Sequence, residues 1–462
     1  MKSNVYIETM GCQMNKLDSE LIVGELIQQG YHITDDLAQA QVVIYNTCSV
    51  RQHAEDKVIS KIGQLGWRHH QQGDLVLAVV GCMAQRMGRQ LLDNHPQVDV
   101  VCAPGQLHRL GEMIHLAQRD KQRQLTLNDP SQMEPLEQLD MAHPRHLPKT
   151  SFQAYLRVMR GCNNHCSYCV VPYVRGPEQS RPIDNIVTEA KRLVEAGIIE
   201  ITLLGQTVNS YRYSDGHKKF HLADVLEKVH EIEGLQRVRF VTSYPRDFDE
   251  RILQAMADLP KVCEYLHIPA QSGSDKILKA MNRRYTAQQY LDLIERVRQI
   301  IPGVTISGDF IVGFPDEDEQ DFAATKELMQ KVRNKNCFIF KYSPRPATRA
   351  GKHLPDNVPQ EIKRRRNTEL LEVQNNISLT DNQQWIQRTV EILVEGPSKK
   401  SHLDNAEEKP QINARCKEKL QLVGRTKGDH IVVFNGSTAL IGRIINVNIH
   451  KVSALTLFAE YE

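Results

Sequence analysis

No apolar run in this chain approaches the roughly 18 residues that a membrane-spanning helix needs. The longest candidates, such as Leu75–Val80, have the length of a strand, so no membrane partner is expected. The opening residues, Met1-Lys2-Ser3-Asn4-Val5-Tyr6, lead straight into a strand-like run without the apolar core of a signal peptide. A cytoplasmic location is the corresponding expectation. Net charge is nearly missing too, at +2 over 462 residues, so any nucleic-acid contact must come from a local patch. Low-complexity segments and solenoid periods are also absent. What remains, 40% hydrophobic and 25% charged residues, is ordinary globular composition, which excludes wholesale disorder. The length suggests about three domains. Cysteine, in contrast, is present ten times. In a reducing compartment a disulfide framework is not expected, and clustered thiols point to metal or catalysis.

Three stretches differ in pattern. From Val5 to about Leu116, strand-like runs at Val5–Thr9, Val42–Asn46, Leu75–Val80 and Val98–Cys102 alternate with helix-length segments, predicting βαβ units and an open parallel α/β sheet. Residues 118–150 turn polar and proline-bearing and read as a linker. Six further strand candidates follow: Ala154–Met159, Glu200–Leu204, Val238–Thr242, Glu264–Ile268, Thr305–Val312 and Cys337–Tyr342. Alternating with helices, they predict a full or partial (βα)6 barrel. The last 80 or so residues lose the helices and predict a small five-stranded β-barrel. The expected divisions are 1–118, a linker over 119–147, 148–380 and 381–462.

The strongest local signal is Cys162-Asn163-Asn164-His165-Cys166-Ser167-Tyr168-Cys169, just after the first strand of the middle region. Three thiolates spaced C-x3-C-x2-C can wrap three corners of a cubic iron–sulfur cluster and leave the fourth iron open. An open iron can hold S-adenosylmethionine (SAM), whose reductive cleavage releases a 5′-deoxyadenosyl radical. A structural zinc site would need a fourth ligand, and no nearby cysteine supplies one. Polar residues at the other strand ends (Gln206 and Asn209, Ser243, Gln271 and Ser272, Asp309, Arg345) suggest a shared pocket. Arg283 and Arg284 follow in a loop and suit a carboxylate or phosphate.

The N-terminal region repeats a smaller device. Cys12, Cys48 and Cys82 each end a strand-like run, 36 and 34 residues apart, the length of a strand–helix–turn unit. They can converge on a second three-thiolate cluster, because ligands of open α/β sheets collect outside the carboxyl ends of strands. Buried structural cysteines are the alternative. Cys102 also ends a run, and spacing alone leaves it as a fourth candidate; Cys263, Cys337 and Cys416 stand isolated.

These residues resemble the radical-SAM methylthiotransferase family over nearly the whole chain. The resemblance is carried by Thr9-Met10-Gly11-Cys12-Gln13-Met14-Asn15, Asn46-Thr47-Cys48-Ser49-Val50-Arg51, Gly81-Cys82, the Cys162–Cys169 stretch, Gln271-Ser272-Gly273-Ser274 and Tyr342-Ser343-Pro344-Arg345-Pro346. Gln13-Met14-Asn15 and Ser49-Val50-Arg51 favour the branch that methylthiolates N(6)-dimethylallyladenosine in tRNA. Sister branches act on threonylcarbamoyl-adenosine or on a ribosomal protein. The resemblance implies two 4Fe-4S clusters, on Cys12, Cys48 and Cys82 and on Cys162, Cys166 and Cys169, with Cys102 outside the ligand set. It also implies SAM, for which the strand-end residues Gln206, Ser243, Gln271 and Asp309 are the candidate pocket, a C-terminal TRAM domain that holds tRNA, and an anticodon loop bearing the substrate base. An external electron donor, a sulfur donor and a monomeric enzyme are expected with it. Three departures stand out: a charged stretch at 399–419, Pro315-Asp316 in place of Pro-Gly, and Leu204-Gly205-Gln206-Thr207 in place of a glycine-rich motif. Between Lys341 and Arg366, eight basic residues face two acidic ones, a segment suited to phosphate contact. A non-catalytic iron–sulfur RNA-binding sensor is the competing class; it leaves the open iron without a purpose.

Overall fold

The computed structural model describes residues 3–49, 52–72, 75–129, 137–143, 151–398 and 420–461. Cys416 and the charged stretch 399–419 lie outside them. The N-terminal sheet is wholly parallel. Its strands are β1 (Asn4–Met10), β2 (His32–Ile33), β3 (Val42–Thr47), β4 (Val76–Gly81), β5 (Val100–Cys102) and β6 (Gln124–Thr126), in the order β2-β1-β3-β4-β5-β6. Strands β3 and β4 are buried along their whole length, as expected of a sheet covered on both faces. Helix α1 (Gln13–Gln28) lies over one face with Leu17, Leu21 and Leu26, and helix α2 (Gln52–Gln72) over the other with Val58 and Ile62. The chain order reverses between β1 and β3, and such a switch point opens a crevice at the strand ends.

The linker expected at 119–147 is corrected in part. Residues Gln124–Thr126 pair with β5 as the sheet's sixth strand, and Glu137–Ala142 form a helix. That helix buries Asp140 against Arg157, Arg160 and Arg181. Composition reads charge as solvent-facing, whereas here each carboxylate meets a guanidinium from elsewhere in the chain.

By internal packing the chain divides into two compact units, Met1–Thr242 with Ser343–Pro355, and Ser243–Tyr342 with Asp356–Glu462. The segment 148–380 contributes strands to both. In the first unit, β7 (Gln153–Arg157) is followed by the two-residue strands β8 (Met159–Arg160) and β9 (Gln179–Ser180). Then come β10 (Glu200–Leu204), the hairpin β11 (Arg212–Ser214) and β12 (Lys219–His221), and β13 (Arg237–Phe240). Strands β7, β10 and β13 form a parallel sheet ordered β13-β10-β7, crossed by helices Ile183–Glu195 and Leu222–His230.

In the second unit, β14 (Tyr265–His267), β15 (Thr305–Val312) and β16 (Asn336–Lys341) form another parallel sheet, crossed by helices Ala287–Ile300 and Glu319–Val332. Helix Gln360–Asn382 then leads to β17 (Thr389–Pro397), β18 (Leu420–Arg425), β19 (Ile431–Gly436), β20 (Ile444–Val452) and β21 (Thr456–Glu460). These five close into a barrel, β17-β18-β19-β21-β20, around Ile392, Leu422, Val432, Ile449 and Leu457. Pro315-Asp316 lies in the turn after β15. Asp316 keeps the left-handed conformation usual for glycine, at φ 62°, and exchanges hydrogen bonds with Asn357 at 3.0 and 2.6 Å.

Candidate active site

Register explains how three distant cysteines meet. Met10 pairs with Thr47, and Thr47 with Gly81, so the ends of β1, β3 and β4 form one row across the sheet. Cys48 and Cys82 follow that row directly, and Cys12 follows it after Gly11. Gly11 and Gly81 admit the close approach: a Cβ on Gly11 would lie 2.9 Å from the Cys48 Cβ, and one on Gly81 2.5 Å from Asn46 Oδ1. Gly81 also has φ 92°, a region that favours glycine. Beneath the row, Asn15 Nδ2 donates to Asn46 Oδ1 at 2.9 Å, and Asn46 Nδ2 donates to the Asn15 carbonyl at 2.9 Å and to Ser19 Oγ at 3.0 Å. Asn15 Oδ1 accepts from the Cys12 N–H at 3.3 Å and from its thiol at 3.2 Å.

The cation beside this trio comes from the other cysteine loop. Cys162, Cys166 and Cys169 lie between β8 and helix Val171–Arg175, and Gly161 enters that loop at φ 68°. At the end of the helix, Arg175 donates from Nε to Cys82 Sγ at 3.3 Å and from Nη2 to buried Asp18 at 2.7 Å. A hydrogen bond with Cys48 lowers the Cys12 thiol pKa, and Arg175 adds to that. Burial pushes Cys82 and Cys162 up. Three thiols with a guanidinium suit an anionic iron–sulfur cluster, whose ligands are thiolates. Among the described residues no three His, Cys, Asp or Glu side chains converge on a single ion position; the thiolates of a cubane bind separate irons and need no such focus. Cys102 points elsewhere. It is packed among Val80, Val100 and Leu107, and its thiol faces the carbonyls of Ala103 at 3.6 Å and Gln106 at 3.4 Å.

The four residues expected around SAM fall in both units. Gln206, after β10, belongs to the first. Ser243, Gln271 and Asp309 belong to the second, where they gather about His267: the Ser243 N–H donates to the His267 carbonyl at 3.2 Å, and His267 Nε2 lies 3.2 Å from Asp309 Oδ1. The Gln271 N–H donates to the Asp309 carbonyl at 2.8 Å. Gln206 Oε1, Ser243 Oγ and Gln271 Oε1 are all buried without a hydrogen-bond partner. Each such atom costs about 1–3 kcal/mol, which a polar ligand bound within its own unit would relieve. Gln271 also has φ 71° and Thr242 φ 65°, strain of the kind stored at functional sites.

Other expectations are corrected. Asp309 lies in the middle of β15, not at its end. Ser272 spends its hydroxyl on Thr325, at 3.2 Å. Arg345 is buried against Gln52 and Glu55. Arg283 turns inward between Tyr244 and Tyr285, 4.6 and 5.2 Å from their ring centroids. Its neighbour Arg284 is exposed. The basic run is partly internal, since Lys363 pairs with Asp356 and Arg366 with Glu317 at 2.8 Å, both cations buried. Sequence reasoning missed Arg175 and His267. The one legible sign of Arg175 was a lone cation six residues past Cys169.

Two family models match the chain: one described as Radical SAM superfamily over residues 156–329, the other as Uncharacterized protein family UPF0004 over residues 4–103. A tRNA-2-methylthio-N(6)-dimethylallyladenosine synthase of Rhodopirellula baltica is 44% identical over 464 residues, covering 99% of this chain and 95% of the relative. One of Syntrophotalea carbinolica is 39% identical, with 97% of each covered. Among solved structures, the radical S-adenosylmethionine methyltransferase TsrM from Kitasatospora setae, with cobalamin and a 4Fe-4S cluster bound, matches at TM-score 0.54 and 16% identity. That match covers 76% of this chain and 77% of the other and is a likeness of fold. The near full-length identity to curated relatives decides the family: the chain belongs to the radical-SAM methylthiotransferases, with the tRNA-2-methylthio-N(6)-dimethylallyladenosine synthases.

Proposed function

We propose that the chain converts N(6)-dimethylallyladenosine at position 37 of tRNA, beside the anticodon, to its 2-methylthio derivative, using SAM and two 4Fe-4S clusters. The observation that carries this reading is the row of Cys12, Cys48 and Cys82, tied through Arg175 to the segment bearing Cys162, Cys166 and Cys169. When bound, a cluster on the second trio supplies the electron that cleaves SAM to a 5′-deoxyadenosyl radical, and one on the first trio supplies an iron at which sulfur can be held.

The chain's own residues then bind and orient. In the second unit, Ser243 and Gln271 offer unspent polar atoms for SAM, and His267 fixes the Asp309 carboxylate. The C2–H of adenine is unactivated, so no side-chain base is required to remove it; the residues around it hold the substrate and exclude water. The target base belongs to a single-stranded loop and can be splayed from its neighbours, with the C-terminal barrel as the tRNA-binding module. Residues 1–118, extended by the strand at 124–126, form the methylthiotransferase domain; 148–380 the radical-SAM core; 381–462 the TRAM domain. The enzyme works as a cytoplasmic monomer with an external electron donor, and a separate sulfur donor is one source of the inserted sulfur. No helix among the described residues is long and apolar enough to cross a membrane.

The test is anaerobic. Reconstituted protein, SAM, reductant and isopentenylated, unthiolated tRNA are incubated and the nucleosides analysed by mass spectrometry. A 2-methylthio product supports the assignment. Formation of 5′-deoxyadenosine without it defeats the substrate assignment and favours a sister branch. No 5′-deoxyadenosine at all defeats the radical reading.

A further inference from the structure

The sheet of β14, β15 and β16 has two unlike faces. The registers His267↔Ser307, Asp309↔Phe338 and Ile311↔Phe340 place His267, Asp309, Ile311, Phe338 and Phe340 on one face. Leu266, Ile306 and Phe310, on the other, are buried to 2% or less. On the first face Phe338 is 46% exposed and Phe340 37%. Their rings lie near-parallel, at 18° with centroids 6.3 Å apart. Phe338 also stands 6.4 Å from the His267 ring. Both rings leave apolar surface uncovered that packing within this unit does not bury. The helix Gln360–Asn382 serves β16 from elsewhere, with Asn367 donating to the Ile339 carbonyl at 2.8 Å. Beside the rings, His267 Nδ1 is buried without a hydrogen-bond partner. Aromatic faces for stacking and an unspent ring nitrogen for an edge are together what a purine requires.

We propose that Phe338 and Phe340 are the platform on which the target adenine stacks, with its dimethylallyl group along the apolar ring surface and its edge toward His267 Nδ1. This rests on the reading of the substrate given above. The rings give sequence-independent stacking; the branched five-carbon group adds contact that an unmodified adenine lacks. Phe338 and Phe340 therefore act as specificity-determining residues for the prenylated base.

The test uses the reconstituted full chain with two tRNAs identical except for the dimethylallyl group. Phe338→Ala and the Phe338→Ala/Phe340→Ala pair are expected to raise KM for the prenylated tRNA by about tenfold or more. The preference for prenylated over unprenylated tRNA in binding falls with it, and KM for SAM is unmoved. Phe338→Tyr, which keeps the ring, restores the parent values. Iron content and circular dichroism report integrity. If the alanine variant loses iron, Phe338→Leu carries the same comparison with side-chain bulk kept and the π face removed. Unchanged affinity for prenylated tRNA overturns the proposal. So does a rise in KM for SAM alone, which would assign the rings to the cofactor's own adenine. Failure of the parent enzyme to make any methylthio product on this tRNA defeats the functional reading instead.

Discussion

Cys102 and Cys48 are both buried thiols at the ends of strands of one sheet, β5 and β3, yet their surroundings separate them. Cys102 packs among aliphatic side chains with carbonyls at its sulfur, whereas Cys48 meets Cys12 beside the Arg175 cation. Cys102→Ala is therefore expected to retain the parent iron content, while Cys12→Ala, Cys48→Ala or Cys82→Ala each loses about half, read by colorimetric iron assay after reconstitution. His143 offers a second prediction. Burial alone would lower its pKa, but hydrogen bonds with Glu189 and Glu20, at 3.4 and 3.2 Å, raise it to about 9. The unfolded value is about 6.5. The raised pKa means its stabilisation is complete below about pH 6.5 and is lost as pH rises through about 9. The urea midpoint should fall across that window and do so less in His143→Gln. The roles of Cys48 and His143 are not legible locally, because each depends on partners far along the chain.

At the scale of elements, the parallel sheets follow from alternation of strand-sized apolar runs with helical periods, and β1, β3 and β4 stand where the runs stand. Strands β2 and β6, of two and three residues, are too short to show a period. The cysteine loop depends on one backbone position. A Cβ on Gly161 would come 1.8 Å from the Pro177 carbonyl oxygen, at a φ of 68°. Gly161→Ala is expected to cost about 2 kcal/mol or more and to lower the iron content, as the cluster proposed for Cys162, Cys166 and Cys169 requires. Urea unfolding and iron content check the two effects together.

Across the whole molecule, the near-zero net charge hides a division of labour within the basic segment. Arg366 neutralises buried Glu317, whereas Arg364 is exposed on the same helix. Arg366→Leu is expected to destabilise the fold by about 3–5 kcal/mol, because it leaves a buried carboxylate unpaired. Arg364→Gln is expected to leave stability alone and to reduce the salt dependence of tRNA binding by a slope of about 0.7–0.9. Denaturant titration and binding measured across salt concentrations separate the two. Sequence alone determined the parallel-sheet class, the C-terminal barrel and the C-x3-C-x2-C spacing of Cys162, Cys166 and Cys169, because apolar periodicity and thiol spacing are local and survive in a linear reading. The tertiary structure alone decided which charges are internal, that Arg175 serves Cys82, that Asp309 sits mid-strand beside His267, and that Phe338 and Phe340 stand uncovered. Each of those is a matter of pairing or exposure between distant segments, and burial is a property of the packed chain rather than of any stretch of it.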